Sequence, residues 1–226
     1  TVPCTMNLLA IETAAAVCGV ALFQEGKLLD LEEAGLEREH AEKLPQFYRG
    51  VISRNDFHLR NLDAIAVSIG PGSFTGLRIG LSFAKGLAFA ADLPLVPVPT
   101  LLTFVAGLDT GDAKVKAVLR SHKDYIYYQD FTVHGDTVVE KGTPVSSRWE
   151  EMLRQVSNGT LICHYGCDEL IALQSGDHPC EAVTPSAACV GELAISSFDE
   201  RQQEDFRTLE PDYISHFKVG SRKKAV

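Results

Sequence analysis

The sequence predicts an α/β fold built from two duplicated βββαβα units, each with a mixed sheet and packed helices, facing one another as two lobes. Three observations predict it. Three apolar runs linked by short turns open the chain; strands and helices then alternate as the apolar period switches; a weaker copy of the same order fills the second half. Residues 1–98 are assigned to a first lobe and residues 99–226 to a second, reduced one.

"NLLAIET" and "AVCGVALFQ" read as strands turning at Ala14 and Ala15, and "GKLLDLEEAGL" as a third after the Glu25-Gly26 turn. From Glu39 the period changes. Leu44, Phe47, Tyr48, Val51 and Ile52 fall on one stripe of a helix that ends near Asn55, with Pro45 tolerated in its first turns. "DAIAVSIG" is a buried strand, the helix after it runs from about Phe74 to Ala91, and "LPLVPV" is a short strand. The second copy reads as a helix from Thr100 to Gly107, strands "VKAVLRS", "YIYYQDFTV" and "TVVEKG", a helix near Arg148 to Gln155 and a strand "TLICHYG". Antiparallel strands followed by helix crossovers give mixed sheets.

Apolar residues make up 45% of the 226 and charged residues 23%, a balance that excludes disordered and fibrous classes. A net charge of -9 argues against a chain that grips nucleic acid unaided, because phosphate neutralisation supplies most of that affinity. The basic segment Lys218, Arg222, Lys223 and Lys224 is the exception. No apolar run approaches the roughly 18 residues of a membrane span, and no basic segment leads into a cleavable apolar one, so a cytoplasmic protein is expected. Residues 1–5 precede Met6 and stay outside the fold reading. The six cysteines are scattered, and free thiols are expected. "CHYGC", Cys163 to Cys167, could open a zinc site with Cys180 and Cys189, but the second pair is too widely spaced for a usual structural zinc.

"SIGPGSFTGLRIG" joins strand to helix through a glycine turn with two readings. In one, backbone N–H groups at the helix start hold an anion, with Glu12, Thr13, Gly70, Gly72, Ser73, Thr75 and Gly76 as candidate phosphate contacts. The spacing fits neither the dinucleotide fingerprint nor the P-loop. In the other, the glycines permit close packing: Gly76, Gly80, Ala84 and Ala88 form a ridge of minimal side chains flanked by Leu77, Leu81 and Leu87, with Ile79 and Phe83 on another side. A helix so apolar is either core or shared with a partner. Candidate catalytic groups are absent from the pattern. His40 is followed by Leu44 where a metal helix needs a second histidine, which leaves His40 as a helix-start or surface residue; no other histidine has ligand spacing, and no Gly-x-Ser-x-Gly elbow occurs.

Three stretches, "LAIETAAAVCGVALF", "EHAEKLPQFYRGVI" and "LDAIAVSIGPGSFTGLRIGLSFAKGLAFAADLPLVPVPTL", resemble the bacterial TsaB (YeaZ) family in order and spacing, as does "EPDYIS" at Glu210 to Ser215. The resemblance implies an actin-like, ribonuclease-H-like ATPase fold. It also implies a non-catalytic scaffold that pairs with the catalytic homologue TsaD, or with itself when alone. With the small ATPase TsaE they make threonylcarbamoyladenosine at position 37 of tRNAs reading ANN codons. The partner surface it implies is Leu44, Phe47, Tyr48 and Val51 on one helix with Gly76, Gly80, Ala84 and Ala88 on the next. Transfer RNA is then held mainly by the complex, and ATP or ADP is the one cofactor to consider, at the shared interface. Catalytic homologues carry a His-x-x-x-His metal pair where this chain has Thr100 and Phe104, which cannot replace imidazole ligands. No metal and no catalytic residue is expected. The family's phosphate hairpins are altered too: "ETAA" at Glu12 to Ala15 lacks the glycine of Asp-x-Gly-Thr, and Arg120-Ser121-His122 stands where relatives have Asp-Ala-Arg. The rival readings are an actin-like ATPase or kinase and, as the family's older glycoprotease label suggests, a metallopeptidase.

Overall fold

The computed structural model describes residues 5–214 other than 36–38, 136 and 175, and the basic segment at 218–224 lies outside the described residues. The first repeat runs β1 (Leu8–Glu12), β2 (Val17–Gln24), β3 (Lys27–Gly35), α1 (His40–Arg54), β4 (Ala64–Gly70), α2 (Phe74–Ala91), β5 (Leu95–Pro99) and α3 (Thr100–Ala106). The second runs β6 (Ala113–His122), β7 (Tyr125–His134), β8 (Thr137–Arg148), α4 (Trp149–Leu153), β9 (Leu161–Tyr165), α5 (Asp168–Leu173), β10 (Cys180–Ala182), α6 (Ala187–Ser196) and α7 (Phe198–Arg201). The sheets have the same topology, β3-β2-β1-β4-β5 and β10-β9-β6-β7-β8, with three antiparallel strands followed by two parallel ones in each.

The copy is therefore more complete than its sequence suggests. All five strands are present, but α4 and α5 have five and six residues, too few to show a helical period, and β10 has three.

Strand alternation sorts each sheet into two faces. Leu9, Ile11, Val20, Leu22, Ile65 and Val67 pack under α1 and α2, while Leu8, Ala10, Ala21, Phe23, Ala66 and Val98 face α6 through Ala187, Val190 and Ala194. In the second sheet Val115, Ala117, Phe131 and Cys163 pack on α3, and Val118, Ile126 and Ile162 pack on Trp149, Met152 and Leu170 of α4 and α5. The repeats thus exchange helices. α3 closes the first repeat yet covers the second sheet, and α6 closes the second yet covers the first. A break after residue 98 follows the chain; in space α6, α7 and the strap beyond them lie against the first sheet, where Gln203 pairs with Leu95 and Asp212 N–H donates to the Ile69 carbonyl. Gly191 makes the α6 contact possible, because a Cβ there would strike the Phe23 ring.

Candidate functional site

The carboxyl ends of β1, β4, β6 and β9 converge on a cleft of ≈ 870 Å³ between the lobes. Its first-lobe wall is Ala14 to Ala16, His40, Gly72, Ser73, Thr75, Gly76 and Ile79; its second-lobe wall includes Arg120, Ser121, Tyr127 and Tyr165.

The glycine turn owes its residues to packing inside the chain. Cβ atoms at Gly72, Gly76 and Gly80 would run into the Ala14 carbonyl, the Thr13 carbonyl and the Thr13 hydroxyl respectively, so α2 lies flush on the segment after β1. Ser73 caps the helix: its N–H donates to the Ala14 carbonyl at 2.7 Å and its Oγ accepts from Gly76 N–H at 3.2 Å. Gly70 has φ +123°, and a Cβ there would lie 2.9 Å from the Asp212 carbonyl oxygen of the strap.

Of the candidate phosphate contacts, Gly72, Ser73, Thr75 and Gly76 line the cleft. Glu12 and Thr13 are fully buried and Gly70 is buried; none of the three is on its walls, so they are corrected from contacts to foundations. Glu12 Oε1 accepts from Ala14 N–H at 2.5 Å and the Ser68 hydroxyl lies beside the carboxyl, but among the described residues neither Glu12 Oε2 nor the Thr13 hydroxyl has a well-aligned partner. Burial dominates over these hydrogen bonds and raises the Glu12 carboxyl from 4.5 to about 7, helped by repulsion from Glu33.

The candidate partner surface is also corrected. Leu44, Val51, Gly76, Gly80, Ala84 and Ala88 are all buried in the chain's own fold, four of them in the core beneath α1 and α2. Phe47 and Tyr48 are half-buried at the edge of that core, where Tyr48 stacks edge-on against Phe83 with centroids 5.7 Å apart. A small-residue ridge meets whatever lies closest, and here that is the Thr13 segment and the first sheet. The outward side of α2 carries Ile79, Phe83, Gly86, Leu87 and the exposed Phe89.

Thr100 and Phe104 are buried; the Thr100 hydroxyl accepts from Gly70 N–H at 3.2 Å and so braces the glycine turn. His40 is buried rather than on the surface, its Nε2 placed 3.0 Å from the Ala15 carbonyl and 3.3 Å from that of Val17. Cys163 and Cys167 fall in cores on opposite faces of the second sheet, and burial pushes both thiols up to about 12, far from reactive thiolates. Among the described residues no group of three or more His, Cys, Asp or Glu side chains could hold a metal.

The sequence reading missed the strap's attachment. Arg78 lies 3.8 Å above the Phe74 ring and donates from Nε to the Tyr213 hydroxyl at 2.9 Å; the Lys85 ammonium donates to the carbonyls of Arg207 and Leu209. In the sequence both cations are simply polar positions on an otherwise apolar helix. Their spacing on α2 is helical, but their acceptors lie more than 120 residues away, beyond any local pattern.

The cleft suits an anion better than a metal–nucleotide. It presents the start of α2, the hydroxyls of Ser73, Thr75 and Ser121, and Arg120, which is held by Glu169 at 2.9 Å. No carboxylate is on its described walls, and Glu12, whose carboxyl burial raises to about 7, lies beneath them, so the described residues offer no exposed carboxylate for a magnesium ion.

A family model described as TsaD, tRNA N6-adenosine threonylcarbamoyltransferase, matches residues 34–162, more than half of the chain. The chain is 34% identical over 223 residues to the tRNA threonylcarbamoyladenosine biosynthesis protein TsaB of Escherichia coli, covering 92% of this chain and 94% of that one. The chain belongs to the TsaB family. Among solved structures, YeaZ from Pseudomonas aeruginosa superposes with TM-score 0.77 at 23% identity, over 92% of this chain and 100% of that one. The activator of 2-hydroxyisocaproyl-CoA dehydratase from Clostridium difficile, solved with bound ADPNP, superposes with TM-score 0.52 at 5% identity, over 86% and 95%. The chain thus has the actin-like, ribonuclease-H-like α/β fold, and that likeness survives where sequence identity has vanished.

Proposed function

We propose that this chain is a non-catalytic, cytoplasmic subunit of tRNA threonylcarbamoyladenosine biosynthesis, which acts by pairing with TsaD, a catalytic homologue of its own fold, with TsaE as a third component. The observation that carries the reading is the match to TsaB of Escherichia coli along nearly the whole chain. Thr100 and Phe104, which stand where the resemblance implies a metal-binding histidine pair in the catalytic homologues, support the non-catalytic part, since neither side chain can serve as an imidazole does. Alone, the chain pairs with itself through the same surface. Transfer RNA is held mainly by the complex, and ATP or ADP binds only where a second chain adds the carboxylates this cleft lacks.

The pairing surface is the outer side of α1 and α2: Phe47, Tyr48, Ile79, Phe83, Gly86 and Leu87. Gly86 supports this choice. A mid-helix glycine costs about 1 kcal/mol relative to alanine, and a Cβ at Gly86 would meet nothing within 4 Å, so nothing among the described residues requires it. A partner helix packed close over the α2 backbone would require it. Co-purification with the catalytic homologue tests the surface: Gly86→Arg keeps the monomer folded and abolishes pairing. Unchanged pairing would show that the surface is elsewhere. Gly80→Glu is unsuitable for this test because its side chain would collide with Thr13.

A further inference from the structure

The chain is strongly acidic, yet basic side chains gather at one edge of the cleft. Where β6 turns into β7, Arg120, His122 and Lys123 cluster, and Arg148 at the end of β8 joins them. The His122 imidazole stacks on the Tyr125 ring with centroids 5.1 Å apart and planes within 10°, and the Arg148 guanidinium carbon lies 5.6 Å from the centre of the same ring. Ser121 Oγ, 3.1 Å from His122 Nδ1, fixes the imidazole. His122 and Lys123 are both exposed.

The nearby carboxylates are mostly occupied. Asp124 lies 3.7 Å from Arg148, Glu169 lies 2.9 Å from Arg120, and Glu151 accepts from the Arg148 N–H. Lys123 has no ion pair among the described residues. Its backbone sits in the left-handed region at φ 53°, which holds it at the tip of the turn. Arg120 and Ser121 also line the cleft, so the stack stands at its rim.

A flat stack with an open outer face, set beside an unpaired cation, matches what an unpaired nucleotide presents: a planar base and a phosphate. A protein partner would need no such pairing of groups. We propose that the tip between β6 and β7 contacts a single-stranded RNA loop directly, a base extending the His122–Tyr125 stack and the adjoining phosphate meeting Lys123. The proposal rests on the tRNA-modifying reading above. The acidic remainder of the surface then restricts RNA to this rim and leaves the bulk of the grip to the partner.

The test uses the reconstituted complex with the catalytic homologue and a fluorescent tRNA anticodon stem–loop, titrated over a range of salt. His122→Ala is expected to weaken RNA binding about fivefold or more, as loss of one stacking contact does. Lys123→Gln is expected to reduce the salt slope by about 0.7 to 1. Neither substitution is expected to alter co-purification with the homologue. Unchanged RNA affinity and salt slope in an intact complex would overturn the proposal while leaving the pairing reading in place. Loss of pairing with unchanged RNA affinity would also overturn it, by making the tip a protein contact. A wild-type chain that never pairs with the homologue would overturn both.

Discussion

Glu12 offers a perturbation whose sign and size follow from burial. Its carboxyl is fully buried at the end of β1, and its pKa rises from 4.5 to about 7. The folded state therefore binds more protons than the unfolded state between those values, and stability falls as pH rises through that window. A shift of about 2.5 units corresponds to about 3 kcal/mol, fully present as a penalty above pH 7. Glu12→Gln keeps the acceptor for Ala14 N–H, and its new amide can donate to the Ser68 hydroxyl beside it. Urea unfolding of both proteins from pH 4.5 to 8.5 measures the effect. The variant and wild type should be within about 1 kcal/mol of each other at pH 4.5, and the variant should be about 3 kcal/mol more stable at pH 8. Taking the difference removes other titrations, such as that of His164, whose pKa burial lowers and whose effect has the opposite sign. A difference that stays flat across the range would refute the reasoning, because Glu12 would then titrate alike in both states.

Three further outcomes follow from packing. Gly191→Ala should cost about 2 kcal/mol in chemical denaturation, since its Cβ meets a Phe23 ring that core neighbours hold in place. Thr13→Val should be neutral or stabilise by up to about 1 kcal/mol, because it replaces a buried hydroxyl that has no partner by a methyl of the same shape. Gly86→Ala should raise the isolated chain's thermal stability by about 0.5 to 1 kcal/mol, and a loss instead would mean the helix uses that glycine internally.

What the sequence made legible depended on length and locality. Strands β1 to β5 and the helices α1 and α2 are long enough to show their periods, and Glu25-Gly26 marks the hairpin between β2 and β3. α6 was invisible for another reason. Its mean composition is apolar, but nothing local says that "AACVGELAIS" covers the first sheet, whose strands lie far earlier in the chain. The same limit explains the site. Sequence could find a glycine ridge on α2 but could not tell which neighbour it served, and Thr13 answers that only in three dimensions. Likewise, "ETAA" showed a retained carboxylate without showing that the alanines bury it below the cleft wall.

The most direct test of the central claim is threonylcarbamoylation of a tRNA reading ANN codons, assayed with this chain, the catalytic homologue and the small ATPase, and with each omitted in turn. The account predicts no modified nucleoside from this chain alone and a large loss of product when it is left out. Product formed by this chain without the homologue, or undiminished product in its absence, would contradict it.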